Sequence, residues 1–297
     1  MTQSQTTFKR ILINSVLFYS LLLTSSINTK AQGKLNKSII ANIDAKNSGR
    51  TTIQTGAERT DQYLPYLMGK KNIGMVVNVT SIIDNKSSVD SLRNLGLRIT
   101  KIFGPEHGFK SDASNGATVN NSIDTQTGIS IISLYGKKLK PSAEDLKDLD
   151  ILIFDIQDVG ARFYTYISTL HYVMEACAEN NIELMIFDRP NPNGFYVDGP
   201  VLEPQYKSFI GMHPVPIVHG MTIAEYAQMI NGQGWLNNGV ICKLKIVQMK
   251  NYRHDVHYTL PIAPSPNLND QRAILLYPSL CLFEGTVISL GRGTYTP

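Results

Sequence analysis

Short apolar runs, rich in β-branched residues, recur along the chain and are separated by amphipathic segments. Five of these runs predict strands that are buried on both faces: Ile73–Val79, Leu97–Phe103, Ile129–Leu134, Ile151–Phe154 and Ile182–Phe187. Three amphipathic segments predict helices between the strands: Ser87–Leu95, Ser142–Leu149 and Ile167–Asn180. Doubly buried strands that alternate with helices are typical of a parallel sheet covered on both sides. The pattern therefore predicts an α/β fold.

After Gly199 the pattern becomes less regular. Thr222–Ile230 predicts a helix, with Thr222 as its cap and Glu225 at the third position of a capping box. Gly239–Val247 predicts a strand, and Pro261–Asn267 an extended segment. The last residues, 291–297, complete no predicted element, so we expect this second region to be incomplete at Pro297.

The N-terminus has the pattern of a secretory signal peptide. Lys9 and Arg10 precede the apolar run Ile11–Leu23, which is too short to span a bilayer with margin, and the small residue Ala31 follows. The first cysteine is Cys177, so no thiol near Ala31 could take a lipid. We therefore expect cleavage after Ala31, export without integral membrane association, and a periplasmic location if the source is Gram-negative. Residues 32–55 are predicted to be a polar lead-in.

Composition excludes several classes of protein. At 42% hydrophobic and 18% charged residues, the chain can bury a large core. Its three cysteines are too few for a disulfide framework, and we expect them to be buried as small apolar residues. Residues 1–31 carry three cations and no acid, so they account for most of the net charge of +4. The sequence has no cluster of Lys and Arg, which argues against a nucleic-acid partner.

Polar residues collect where three of the predicted strands end, in Gly104–Phe109, Asp155–Tyr166 and Asp188–Gly194. Ligands of open α/β sheets bind outside the carboxyl ends of the strands, so these loops predict a functional cleft. The candidate site residues in the three loops are Glu106, His107, Asp155, Gln157, Asp158, Arg162, Tyr164, Tyr166, Asp188 and Arg189.

The candidate catalytic groups in the sequence are carboxylates. No glycine-rich phosphate motif is present and the histidines lack metal-ligand spacing, so we expect neither a nucleotide cofactor nor a metal. Glycoside hydrolysis needs one carboxylic acid to protonate the leaving oxygen and usually a second carboxylate. Glu106 could be the acid, and Asp155, Asp158 or Asp188 could be the second group or could hold sugar hydroxyls.

Structural alternatives exist for several of these candidates. Glu106 could only brace its loop through His107 or Arg162, and Asp158 could form a salt bridge with Arg162. Of Tyr164 and Tyr166, we expect one ring to pack inward and the other to face the cleft, where a sugar could stack on it.

The motifs resemble those of the exo-β-N-acetylmuramidase family of glycoside hydrolases. The similarity begins near Gly56, includes the three loops above and Ser133–Gly136, and continues through Val218–Thr222, Pro264–Asn267, Leu282–Thr286 and Gly291–Thr294. The resemblance implies a Rossmann-like catalytic domain at 56–200, a smaller C-terminal α+β domain at 201–297, and a cleft between them. It implies release of N-acetylmuramic acid from non-reducing ends of peptidoglycan fragments, without a cofactor, and Glu106 as the leading catalytic candidate.

The implied substrate also gives a role to cations in the matched motifs. Muramic acid carries a lactyl carboxylate, for which a bidentate arginine is the usual partner, so Arg162, Arg189 and Arg292 are candidates. His219, in the Val218–Thr222 motif, is a further candidate for substrate binding. Two other functions remain open: a periplasmic sugar-binding protein without catalysis, and a Rossmann-type transferase or dehydrogenase, which the missing phosphate motif disfavours. The sequence does not indicate an oligomeric state.

Overall fold

The computed structural model describes residues 52–110 and 120–288. The predicted signal peptide at 1–31, most of the lead-in, and the final segment with Arg292 lie outside these residues. Within the described ranges no helix is long and apolar enough to cross a membrane.

The helices and strands follow one another along the chain in alternation. The helices are α1 (Thr60–Leu67), α2 (Ser88–Asn94), α3 (Ala143–Leu146), α4 (Tyr166–Glu179), α5 (Ile223–Gly232) and α6 (Gln271–Leu280). The strands are β1 (Ile73–Val77), β2 (Ile82–Ile83), β3 (Lys86–Ser87), β4 (Ile99–Gly104), β5 (Ser122–Ile123), β6 (Ser130–Ser133), β7 (Ile151–Asp155), β8 (Glu183–Phe187) and β9 (Leu244–Val247). Short 3₁₀ turns occupy Pro204–Tyr206, Asn237–Gly239 and Cys281–Gly285.

In the described part of the chain, seven of these strands form one sheet in the order β5-β6-β4-β1-β7-β8-β9. β5 runs antiparallel to β6, and all the other neighbours are parallel. From β6 to β9 the parallel strands have the doubly wound order, in which the chain reverses its direction of growth at β1. The predicted α/β fold with a parallel sheet is confirmed. The reversal places a ligand crevice beside the carboxyl ends of β1 and β7.

The core lies on both faces of this sheet because successive strand residues point to opposite sides. In β7, Leu152 and Phe154 pack into the cluster that includes α4 and α5 residues, whereas Ile151 and Ile153 pack into the cluster that includes residues of α1 and α2. Every residue of β1 and β7 is buried. This double burial explains why the strands are apolar throughout. The three cysteines are free and buried, as expected.

The predicted capping box of α5 is present. Thr222 Oγ1 accepts a hydrogen bond from the Glu225 backbone N–H at 3.3 Å, and the Glu225 carboxylate accepts one from the Thr222 N–H at 2.8 Å. The same arrangement, with Ser142 and Asp145, begins α3. These local signals fix where both helices start.

Two helices were not predicted from the sequence, and both contain a proline. α1 includes Pro65 and α6 includes Pro278. Proline disfavours a helix interior because it lacks an N–H and clashes with the preceding turn, so a pattern-based reading passes over such segments. Burial of Tyr63 and Leu67 in α1, and of Ile274 and Tyr277 in α6, stabilises the two helices here.

β9 shows how the second region is connected to the first. It lies after residue 200, the predicted domain boundary, and pairs with β8 from Leu184 and Leu244 to Phe187 and Val247. Residues on both sides of that boundary therefore contribute to one sheet. The division at 200/201 stays a prediction.

Candidate active site

The loop after β4 presents Glu106 at the carboxyl edge of the sheet. His107 and Gly108 both adopt left-handed backbone conformations, with φ of 68° and 78°, and the Gly108 N–H donates to the Pro105 carbonyl at 2.9 Å. A Cβ on Gly104 would lie 3.0 Å from the Phe109 nitrogen, so the turn folds tightly onto the end of the strand. His107 is buried, whereas Glu106 remains partly exposed.

Two hydroxyl groups approach the Glu106 carboxylate. Thr165 Oγ1 donates to Glu106 Oε2 at 2.7 Å. The Tyr135 hydroxyl lies near Glu106, and burial together with this carboxylate raises the pKa of Tyr135 to about 12. Arg162, which was considered as a brace for Glu106, instead donates to the carbonyls of Pro200 and Val215. Glu106 is therefore oriented by neutral donors and stays accessible from the cleft.

The loop after β1, which the sequence analysis did not select, lies at the crevice between β4 and β7. The Asn78 amide donates to the Tyr166 hydroxyl at 2.9 Å, and its oxygen accepts from Thr80 N and Thr80 Oγ1. Ser81 Oγ donates to the Asp155 carbonyl. Thr80 and Ser81 follow the first apolar run, as the other candidates follow later strands, and this position could have identified them. Asn78 was included in the predicted run Ile73–Val79, whereas the strand itself ends at Val77.

Asp155 and Arg189 form a buried ion pair. Arg189 Nε lies 2.7 Å from Asp155 Oδ1, and the two side chains are 3% and 0% exposed. Arg189 also donates to the Ile82 carbonyl at 3.2 Å. The structure thus places both candidates inside the protein, where their charges compensate each other, rather than at an open cleft. This pair ties the loops after β1, β7 and β8 together.

Gln157 and Asp158 continue the loop after β7. The Gln157 amide donates to the carbonyls of Asp158 and Pro190, at 2.7 and 2.6 Å, so it holds the loop closed. Asp158 Oδ2 accepts the Gly160 N–H at 2.7 Å and lies 3.6 Å from His219 Nε2. Among the described residues Asp158 Oδ1 has no hydrogen-bond partner. The salt bridge between Asp158 and Arg162 considered above is not formed. The basic side chain beside Asp158 is that of His219 instead.

Arg162 is buried, and burial lowers its pKa from the ordinary arginine value. Its Nε has no partner among the described residues, although its terminal nitrogen binds backbone carbonyls. Of the three candidate arginines for the lactyl group, Arg162 keeps a free donor, Arg189 is committed to Asp155, and Arg292 lies outside the described residues.

The expectation that Tyr164 or Tyr166 stacks on a sugar is wrong. Both rings are buried, their centroids are 4.7 Å apart, and they meet edge to face. Both hydroxyls reach the Pro264 carbonyl, at 2.9 and 3.4 Å. The expected inward and outward alternation holds for an extended segment, whereas here a turn leads directly into α4 at Tyr166.

Asp188 serves as a cap for α5. Its oxygens accept hydrogen bonds from the Ala224 N–H at 3.1 Å and from Thr222 Oγ1 at 3.2 Å. Burial raises the pKa of Asp188 to about 6, against the effect of these donors. Asp188 therefore joins β8 to α5, and this structural role accounts for its position at the strand end.

The two remaining carboxylates, Glu106 and Asp158, both affect the pKa of Tyr166. Its pKa is raised, mainly by burial, and the charges of both Glu106 and Asp158 add to the effect. β4 and β7 lie on either side of β1, so the loops that carry Glu106 and Asp158 leave the sheet at the same edge from strands separated by one neighbour. Within the described ranges no group of three His, Cys, Asp or Glu could hold a metal ion.

Comparisons with known proteins identify the family of this chain. Residues 73–272 match the family described as exo-beta-N-acetylmuramidase NamZ, N-terminal, and residues 275–297 match its C-terminal counterpart. A curated relative, the peptidoglycan beta-N-acetylmuramidase NamZ of Bacillus subtilis (strain 168), is 45% identical over 267 residues. The match covers 86% of this chain and 63% of that protein, so the chain spans less than two thirds of the relative's length.

Two solved structures are also similar, both of DUF1343 family proteins from Bacteroides fragilis. The first is 49% identical with a TM-score of 0.75, and the match covers 83% of this chain and 66% of the other. The second is 35% identical with a TM-score of 0.70, and the match covers 79% of this chain and 61% of the other.

Proposed function

Since this chain belongs to the exo-beta-N-acetylmuramidase NamZ family, we propose that it is an exo-acting glycoside hydrolase of peptidoglycan. Its reaction releases N-acetylmuramic acid from the non-reducing ends of glycan fragments, in cell-wall turnover and recycling. The substrates are fragments in which N-acetylmuramic acid is linked to N-acetylglucosamine. The position of Glu106 carries the proposal, because this carboxylate is partly exposed at the ligand-binding edge of the sheet and is held by two hydroxyls.

Glu106 is the proposed general acid. It gives its proton to the glycosidic oxygen as the bond to the N-acetylmuramic acid ring breaks, so that the remaining fragment leaves as an alcohol. Thr165 and Tyr135 orient the carboxyl group for this transfer. A water molecule supplies the hydroxyl group of the released sugar.

Asp158 is the proposed second carboxylate. Asp155 is neutralised by Arg189 and Asp188 caps α5, whereas Asp158 forms no ion pair with an arginine or lysine among the described residues. A carboxylate in this position stabilises the positive charge that develops on the sugar ring in the transition state. Arg162, with its free Nε, is the proposed partner of the lactyl carboxylate.

We further propose that the protein acts outside the cytoplasm, after removal of residues 1–31, and in the periplasm if the source is Gram-negative. The support is the order of basic residues, apolar run and Ala31 in the sequence. Mass measurement of the chain from its host checks this: a mature protein that begins at Gln32 is expected. A soluble chain that retains Met1 would contradict it.

The activity is tested with a chromogenic N-acetylmuramide and, as the matched control, the corresponding N-acetylglucosaminide. We expect release of the chromophore from the first substrate only, with N-acetylmuramic acid identified by mass spectrometry. Binding of the muramide without any release would instead favour the sugar-binding alternative. Equal turnover of both substrates would contradict the proposed specificity.

A further inference from the structure

His219 is held by the backbone in one orientation against the loop after β7. The His219 N–H donates to the Gly160 carbonyl at 3.3 Å, and the Arg162 N–H donates to the Ile217 carbonyl at 2.8 Å. Gly160 and Gly220 have φ of 77° and 72°, a region that favours glycine. The two segments therefore form a rigid frame that sets His219 beside Asp158.

The hydrogen bonds of the ring fix its tautomer. His219 Nδ1 accepts a hydrogen bond from the Met221 backbone N–H at 3.2 Å. A nitrogen that accepts carries no proton, so in the neutral ring the proton is on Nε2. Gly220 allows this contact, because its turn brings the Met221 N–H back to the ring of His219.

Nε2 is directed at Asp158. It lies 3.6 Å from Asp158 Oδ2, and the two side chains are 1% and 6% exposed. Neither His219 Nε2 nor Asp158 Oδ1 has a hydrogen-bond partner among the described residues. A buried polar group without a partner costs about 1–3 kcal/mol, so two of them together indicate a functional constraint. Hydrogen bonds of catalytic groups are often long in the free enzyme and shorten when substrate binds.

From this geometry, and resting on the proposed function, we propose that His219 is a positioning residue for Asp158. Its Nε2–H holds Asp158 by Oδ2, together with the Gly160 N–H, and thereby fixes the orientation of the carboxylate. His219 itself does not touch the substrate in this arrangement. The tautomer that Met221 imposes is essential, because the opposite tautomer would place a lone pair against the carboxylate.

Kinetics of two His219 variants separate positioning from packing. We expect His219→Ala to lower kcat about 10²-fold with KM changed only a few-fold, since small misplacement of a catalytic group has an effect of this size. His219→Gln should restore most of kcat, because its amide can accept from Met221 and donate to Asp158. His254→Ala is the matched control and should leave kcat unchanged, since His254 is 46% exposed and pairs with Glu225.

A full kcat in a folded His219→Ala variant would overturn the positioning role, and so would a His219→Gln variant as slow as His219→Ala. Thermal unfolding of each variant shows whether lost activity is only lost folding. If the unsubstituted protein releases no N-acetylmuramic acid, the proposed function fails.

A measurement without substrate tests the inference independently of that function. In the ¹⁵N-histidine NMR spectrum of the unsubstituted protein, we expect His219 to be protonated on Nε2 and unprotonated on Nδ1. Asp158→Asn should shift the Nε2–H signal of His219 and leave that of His254 in place. A proton on Nδ1, or an unchanged signal in Asp158→Asn, would overturn the inference.

Discussion

The loop after β4 and the loops after β7 and β8 carry carboxylates at the same edge of the sheet. The carboxylates of the first loop and of the other two differ in exposure and in partners. Glu106 is partly exposed and is contacted by the hydroxyls of Thr165 and Tyr135. Asp155 and Asp188 are buried, and their partners are Arg189 and the first turn of α5. Asp158 is intermediate, since it is buried but pairs with no arginine or lysine among the described residues and lies 3.6 Å from His219 Nε2.

This difference follows from the cost of burying charge. A carboxylate removed from water needs a countercharge or several hydrogen-bond donors, and these partners commit it to the scaffold. A general acid must instead reach a substrate atom, so part of its surface has to remain open. The accessible surface of a carboxylate and the nature of its partners, rather than its residue type, therefore distinguish a catalytic role from a structural one in this protein.

The largest expected effect is on Glu106. Glu106→Gln keeps the size and the hydrogen bonds of the side chain but removes its transferable proton, so turnover of the chromogenic muramide should fall about 10²–10⁴-fold. Binding of the sugar should persist. Glu144→Gln, at an 81% exposed position in α3, is the matched control and should not change the rate. A rate within a few-fold of the parent, in folded Glu106→Gln, would remove Glu106 from the mechanism.

The buried pair of Asp155 and Arg189 predicts a large effect on stability in the loops after β7 and β8. Arg189→Met leaves Asp155 as a buried charge without its partner, which should lower the free energy of unfolding by about 3–5 kcal/mol. Arg253→Met tests the exposed counterpart, because Arg253 and Asp255 are 77% and 54% exposed, and it should cost less than about 1 kcal/mol. Urea denaturation compares the two. Equal losses of unfolding free energy in the two variants would show that burial does not determine how strongly these ion pairs stabilise the protein.

Two buried histidines, His171 in α4 and His213 in the segment before α5, should make the protein sensitive to acid. His171 Nδ1 lies 2.9 Å from His213 Nε2, and burial lowers the pKa of His171 to about 4 and that of His213 to about 3. Both folded values are below the unfolded one, near 6.5, so their stabilising contribution is complete above pH 6.5 and is lost as the pH falls toward 4. By pH 4 the loss is on the order of 3 kcal/mol for each histidine.

Asp188 should act in the opposite direction over part of this range. Its folded pKa of about 6 is above the unfolded value, so its contribution is complete below about pH 4 and is lost as the pH rises through 6. Urea denaturation from pH 4 to 7 measures the sum, and the histidine loss is isolated by comparison with His171→Asn, which should show a weaker decline on acidification. The same pH dependence in the variant would contradict the assignment.

The smallest effects are expected at helix caps, including the one that joins the loop after β8 to α5. Thr222→Ala removes the hydroxyl that accepts from Glu225 N and donates to Asp188, and should destabilise the protein by about 1 kcal/mol. Ser142→Ala removes a comparable cap from the short helix α3, and there the loss should be smaller because that helix buries little. Calorimetric unfolding distinguishes the two, and a larger loss at Ser142 would reverse the comparison.

Local patterns in the sequence were sufficient for much of the fold. Doubly apolar runs identified β1, β4, β6, β7 and β8, because strands buried on both faces have no polar face. The capping box at Thr222 was readable because it involves residues three positions apart. The same logic placed Glu106 at the carboxyl end of a strand, where α/β sheets bind ligands.

Tertiary structure decided what each polar residue touches. The pairing of Asp155 with Arg189, the inward direction of both Tyr164 and Tyr166, and the approach of Asn78 to Tyr166 join segments 34 to 88 residues apart or depend on where α4 begins. Contacts at such separations leave no periodic signal in one sequence, because they arise only when the sheet brings its loops together. The sequence by itself determined which edge of the sheet carries the carboxylates, and the packed fold decided which of them remain free to act.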